Sequence, residues 1–167
     1  PTKNVPDLTK FADNILGYIE SYDADALAWA NGGEELPEFA RLYSNAVGRL
    51  GTVFPSIMVI SQADEGEESE TANGDIMLTG VQLVFEVTLS GSNTDELVLK
   101  AKKYDYALKS MLMNIPAATL VVDSDSSHAW LKQIATTFDI LRGEKLANSY
   151  LQIFQTTALF GLITPAE

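Results

Sequence analysis

A chain of 167 residues, 46% of them hydrophobic and 20% charged, carries enough apolar material for one globular core, and its lack of cysteine excludes disulfides, thiolate metal sites and a cysteine nucleophile. Eleven Lys and Arg against 23 Asp and Glu give a formal charge of −12, the wrong sign for a surface that neutralises DNA phosphates. No apolar run approaches the roughly 20 residues of a membrane span and the first residues lack a charged-then-apolar leader layout, so the expectation is a soluble, intracellular single domain over residues 1–167.

Leu8, Phe11, Ala12, Ile15, Leu16 and Ile19 recur at spacings of three and four, which predicts an amphipathic helix. Asn4 can cap it, Pro6 suits its first turn, and Asp7 complements the positive helix end. The pattern loosens at Tyr22 to Asp25, resumes at Leu27, and meets the helix-ending pair Gly32 and Gly33. Pro37 then opens a second stretch, Phe39, Leu42, Tyr43, Ala46, Val47 and Leu50, read as a shorter helix that stops at Gly51. Residues 1–51 are thus expected to form a helical N-terminal part.

From Val53 the residues become β-branched and apolar, and Ile57 to Ile60 predict a strand. Residues 61–75 contain no large aliphatic or aromatic side chain but carry Asp64, Glu65, Glu67, Glu68, Glu70 and Asp75, the composition of a flexible acidic loop. Val81, Leu83, Phe85, Val87 and Leu89 alternate with more polar neighbours in a long half-buried strand over Met77 to Ser90. Asn93, with Glu96 three positions on, caps the next helix, whose buried face is marked by Leu97, Ala101, Tyr104, Leu108, Met111, Leu112 and Ile115 before Pro116 ends it. After a short apolar run, Asp123 to Ser127 read as a turn. Ile134 to Ile140 and Tyr150 to Leu162 follow as two strands, adjacent and antiparallel because a short connection joins them. The order predicts an α+β fold: a largely antiparallel sheet of about four strands with helices packed on one face.

No catalytic signature stands out. His128 is the sole histidine, which excludes a two-His metal site, and its serine-rich surroundings suggest an exposed turn. Nucleophile-elbow, Walker and dinucleotide fingerprints are missing. The acids of Asp64 to Glu70 could attract a hard cation, but their order is not that of an EF-hand loop, and Asp123-Ser124-Asp125 is ordinary turn chemistry. No catalytic, cofactor or metal residue is therefore assigned. Charge distribution is more informative: no Lys or Arg occurs from Leu50 through Leu99, so one region projects a negative field that serves either solubility or docking. Candidate interaction residues are Asp64, Glu65, Glu67, Glu68 and Glu70 on the acidic side and Lys100, Lys102 and Lys103 on the basic side, which could pair between neighbouring subunits. In the last strand Tyr150, Phe154 and Phe160 share one face while Leu151, Ile153 and Leu159 share the other, so burial on both sides needs a second layer or another subunit.

The layout resembles the tail terminator, or tail completion, proteins of long-tailed bacteriophages and related neck proteins. The resemblance is carried by the helix Leu8 to Ile19, the strand and acidic segment Phe54 to Asp75, the strand Ile76 to Ser90, the helix Thr94 to Lys109 and the closing strand Tyr150 to Phe160. It implies a noncatalytic virion protein, with no cofactor, that assembles in the host cytoplasm into a ring, commonly a hexamer, at the head-proximal end of the tail. Such a ring ends tube polymerisation and meets the tail tube protein on one side and the head connector on the other, while DNA passes through without specific binding. Residues from Ile134 to Arg142 and the stretch after Gln82 are the candidate intersubunit strands. The segment Tyr22 to Leu50 is longer than a minimal version of that fold needs, which leaves room for another neck or tail-associated protein. Two further readings stand beside it: a small-molecule-binding domain with a pocket lined by Tyr104, Tyr106, Trp130 and Phe138, and an adaptor whose acidic loop binds a basic partner.

Overall fold

The computed structural model describes residues 10–44, 53–64, 68–70, 76–116, 128–139, 145–146 and 149–164. Among the described residues, two helices and a mostly antiparallel sheet make it an α+β fold. Helix α1 spans Phe11–Ala30, and its inward stripe is Phe11, Ile15, Leu16, Ile19, Asp23 and Leu27. The expected cap at Asn4 lies outside the described residues. The helix runs on through the loosened pattern at Tyr22 to Asp25 because Asp23, polar but buried, has backbone partners inside. It ends at Gly32 and Gly33, whose φ angles of 71° and 97° suit glycine alone, while the Gly33 N–H closes the last turn on the Ala28 carbonyl at 2.8 Å.

The second helix expected over Phe39 to Leu50 does not form in its described half. Arg41–Ser44 is instead strand β1, paired in parallel with β2, Ser56–Asp64; residues 45–50 lie outside the described set. Long-range partners outweigh the local periodicity there. Phe39 is buried against the Tyr104 ring at 5.6 Å, its N–H donates to Asp23 Oδ2 at 3.0 Å, and the Ala40 N–H donates to the Pro55 carbonyl at 2.8 Å. Those bonds commit the backbone to an extended path.

Residues 61–75 also depart from the expected loop. Strand β2 continues through Asp64, and Glu68–Glu70 form β3, paired antiparallel with Ile76–Leu78 at the start of β4, Ile76–Gly91. Residues 65–67 and 71–75 lie outside the described set. Acidic side chains do not prevent a ladder, because ladder bonds use backbone groups and β4 is long enough to template both neighbours.

Helix α2, Thr94–Met113, starts as expected: Asn93 Oδ1 accepts from the N–H groups of Asp95 and Glu96 at 3.0 and 3.3 Å. Strand β5, His128–Asp139, begins six residues before Ile134, so His128 opens a strand instead of sitting in a turn. The short β6, Lys145–Leu146, and β7, Ser149–Thr164, complete the sheet, with β5 and β7 antiparallel neighbours as expected.

The main strand order is β1-β2-β4-β7-β5, with β3 on β4 and β6 on β7. Parity places Val81, Leu83, Phe85 and Val87 of β4 beside Phe160, Ala158, Thr156 and Phe154 of β7 on one face. Both helices cover that face, with Phe11 of α1 meeting Phe160 edge-on at 5.1 Å. A polar chain crosses the same layer: the Thr136 hydroxyl donates to Asp105 Oδ1 of α2 at 2.5 Å and accepts from the Thr156 hydroxyl at 3.0 Å, while Lys109 pairs with Asp105 Oδ2 at 3.0 Å. The opposite face is closed at one end, where Ser56, Thr88, Leu151 and Ile153 are buried, and open at the other, where Ile60 and Trp130 are exposed.

Candidate functional site

The sequence candidates are not brought to one place. Asp64 sits in β2 opposite Val81, and Glu68 and Glu70 sit in β3 opposite Leu78 and Ile76; Glu65 and Glu67 lie outside the described residues. Lys100, half-buried, reaches the other end of β4, where it lines a cavity of about 100 Å³ with Pro37, Phe54, Pro55, Leu89 and Ser90. From Leu78 to Leu89 the strand covers roughly 35 Å, so the acidic end and Lys100 do not pair within one chain. Lys102 and Lys103 are exposed on α2, and Lys103 Nζ donates to Asn31 Oδ1 at 2.6 Å.

The aromatic residues proposed to line a pocket diverge. Tyr104 is fully buried, its hydroxyl donating to the Pro37 carbonyl, and burial raises its pKa, with the Asp23 carboxylate adding to the rise. Tyr106 projects the other way from α2, Trp130 lies over Gly161 on the far face of the sheet, and Phe138 leans on Phe154 at 5.3 Å. The cavity beside Lys100 is well below the 300 to 1,000 Å³ typical of ligand sites. Among the described residues, no group of three or more His, Asp or Glu side chains converges as a metal site, and no helix is long and apolar enough to cross a membrane.

Two surfaces remain. The first is the sheet edge made by β5, which ends the strand order among the described strands and therefore leaves one row of its backbone N–H and C=O groups without a described ladder partner. It is twelve residues long and exposes Trp130 and Phe138. The stretch after Gln82, the other proposed intersubunit strand, is not available: β4 is flanked by β2 and β7, so both its edges are used. The second surface is the outward side of the helices, where Trp29 stacks on Tyr106 at 4.9 Å and 15° while both stay more than half exposed. The expected buried face of α2 leaves out Leu99 and Met113, and Tyr106 was expected in a pocket; the signal for this surface is the separate seven-residue spacing of Leu99, Tyr106 and Met113.

No protein-family pattern matches the chain, and no curated protein matches it. A chain of the solved structure described as "Virion of native gene transfer agent (GTA) particle" is similar to it, with 16% identity and a TM-score of 0.47, over 95% of this chain and 99% of that one.

Proposed function

We propose that this chain is a noncatalytic virion protein of the phage tail or neck that assembles with copies of itself into a ring. In that role the ring, hexameric in the family the sequence resembles, ends tail-tube polymerisation and joins the tail to the head connector, with DNA passing through its centre. The single observation that carries the reading is the β5 edge. Among the described strands β5 ends the sheet, and a twelve-residue edge strand that presents exposed Trp130 and Phe138 is a template for pairing with a neighbouring chain unless something blunts it. Heterologous pairing, edge to a different surface of the next copy, closes into a ring when the rotation permits. The net charge of −12 suits a passage that repels DNA instead of retaining it.

Negative-stain imaging with light scattering tests this. The unmodified chain is expected to give rings, alone or on purified tail tubes. Ala135→Lys with Thr137→Lys, two exposed edge positions, is expected to keep the fold and abolish rings, because lysines on an edge strand oppose further pairing. Rings that persist in this variant would remove β5 from the contact, and a chain that forms no ring and does not bind tubes would overturn the function.

A further inference from the structure

The two helices run antiparallel: the Tyr18 hydroxyl near the start of α1 donates to the Asn114 carbonyl just past the end of α2 at 3.4 Å, while Lys103 in α2 reaches Asn31 just past the end of α1. Between those ties an apolar stripe runs along the outward surface beside the exposed Lys102 and Lys103. Leu99, Tyr106 and Met113 follow one another at seven-residue intervals and are 60%, 57% and 62% exposed, directly opposite the face on which Leu97, Ala101, Tyr104 and Leu108 are buried. The Trp29 ring, 56% exposed, widens this seam from α1 by stacking on Tyr106. A helix with apolar stripes on both sides is a helix with two partners, and the sheet supplies only one.

Charge identifies the other. Helix α1 contains Asp13, Glu20, Asp23 and Asp25 and no Lys or Arg. Helix α2 contains Lys100, Lys102, Lys103 and Lys109; of its acids, Asp95 and Glu96 lie in the first turn and Asp105 is buried and paired with Lys109, and its exposed cations are Lys102 and Lys103. The seam therefore has an acidic flank and a basic flank. We propose that a second copy of this chain docks on the seam about a two-fold axis parallel to the helices, so that α1 of each copy lies over α2 of the other. This axis sets acidic flank on basic flank twice, whereas an in-plane axis across the helices would set α1 on α1 and repel. The contact does not depend on the ring reading, because it uses the outward side chains of the helices and not the β5 edge.

The test uses the full chain carrying Ala135→Lys and Thr137→Lys, so that strand-edge assembly does not contribute to the measured mass. Light scattering across a concentration series is expected to show a monomer–dimer equilibrium, and adding Tyr106→Asp with Met113→Asp is expected to leave only monomer with unchanged circular dichroism. Lys102→Glu with Lys103→Glu, or Glu20→Lys with Asp25→Lys, should each weaken the dimer about tenfold, and all four together should restore it. A strict monomer before any helix substitution, or a dimer indifferent to Tyr106→Asp with Met113→Asp, would overturn the proposal. Failure of the fourfold charge swap to restore the dimer would overturn the α1-over-α2 arrangement.

Discussion

Asp23 is a buried carboxylate set among the apolar residues of α1. It is 3% exposed, and its two carboxylate oxygens accept from the Ala24 and Phe39 N–H groups at 2.9 and 3.0 Å, tying the segment after α1 back to the helix. Burial raises its pKa above the ordinary carboxylate value; the two backbone donors oppose the rise and Glu38 adds to it. A carboxyl whose folded pKa is raised binds protons more readily in the native state, so its contribution to stability falls as pH rises from the unfolded value of about 3.9 through the raised value and is flat above it. Urea titrations across that window should show the slope in the natural chain and a reduced slope in Asp23→Asn. Asp23→Ala should cost about 1 to 3 kcal/mol at neutral pH, because it strands a buried N–H. Gly161 makes a second, independent case. A Cβ there would come within 2.6 Å of Trp130 Cε2, so Gly161→Ala forces the indole off the strand and should cost about 1 to 2 kcal/mol. In Trp130→Ala the same change should be close to neutral, and a double-mutant cycle by chemical denaturation reads the difference.

At the scale of elements, β5 is held to α2 by a polar chain embedded in an apolar layer. Removing the Thr136 hydroxyl takes one bond from Asp105, which is 8% exposed, and the donor's acceptor from Thr156, which is fully buried. Thr136→Val should therefore destabilise the chain by about 1 to 3 kcal/mol despite its near-equal volume, and hydrogen exchange should show the loss concentrated in β5. That link was invisible in the sequence, where Asp105 and Thr136 stand 31 positions apart and look like surface residues. What was legible has a local cause. The alternation of Val81 to Leu89 and the Asn93 cap depend on neighbours within a few residues, and both stand as read. Phe39 to Ser44 was misread because its three-and-four spacing is also produced by a buried phenylalanine followed by a short strand, and only contacts with Asp23, Tyr104 and Pro55 decide between them. The acids at Glu68 and Glu70 argued for a loop through composition, yet ladder bonds join backbone groups and do not depend on the side chains being apolar. The candidate surfaces were legible only in part: Ile134 to Arg142 was offered as an intersubunit strand, but that its described part belongs to a strand at the end of the described order follows from pairings that no local pattern encodes.

Across the whole molecule, the two proposed contacts should respond to salt in opposite directions. Each copy carries a formal −12, with acids along α1 and in the β2–β3 region, so bringing several copies into a ring brings like charges together. The ladder bonds and apolar side chains of the β5 edge are short-ranged, and the repulsion opposing them reaches as far as the Debye length, about 10 Å at 0.1 M salt and about 3 Å at 1 M. Raising the salt screens the repulsion and spares the attraction, so ring mass should grow. The helix seam differs because its flanks attract: acidic α1 over the exposed Lys102 and Lys103 of α2 is a gain at low salt that screening removes, leaving the apolar stripe to hold the pair against less repulsion but with no steering. Light scattering at the two salt concentrations separates them, on the natural chain for the ring and on the Ala135→Lys, Thr137→Lys chain for the dimer. Ring mass rising while the dimer weakens is the expected result. A dimer that strengthens with salt would mean that net repulsion between whole copies outweighs the complementary flanks, and charge would no longer identify the occupant of the seam.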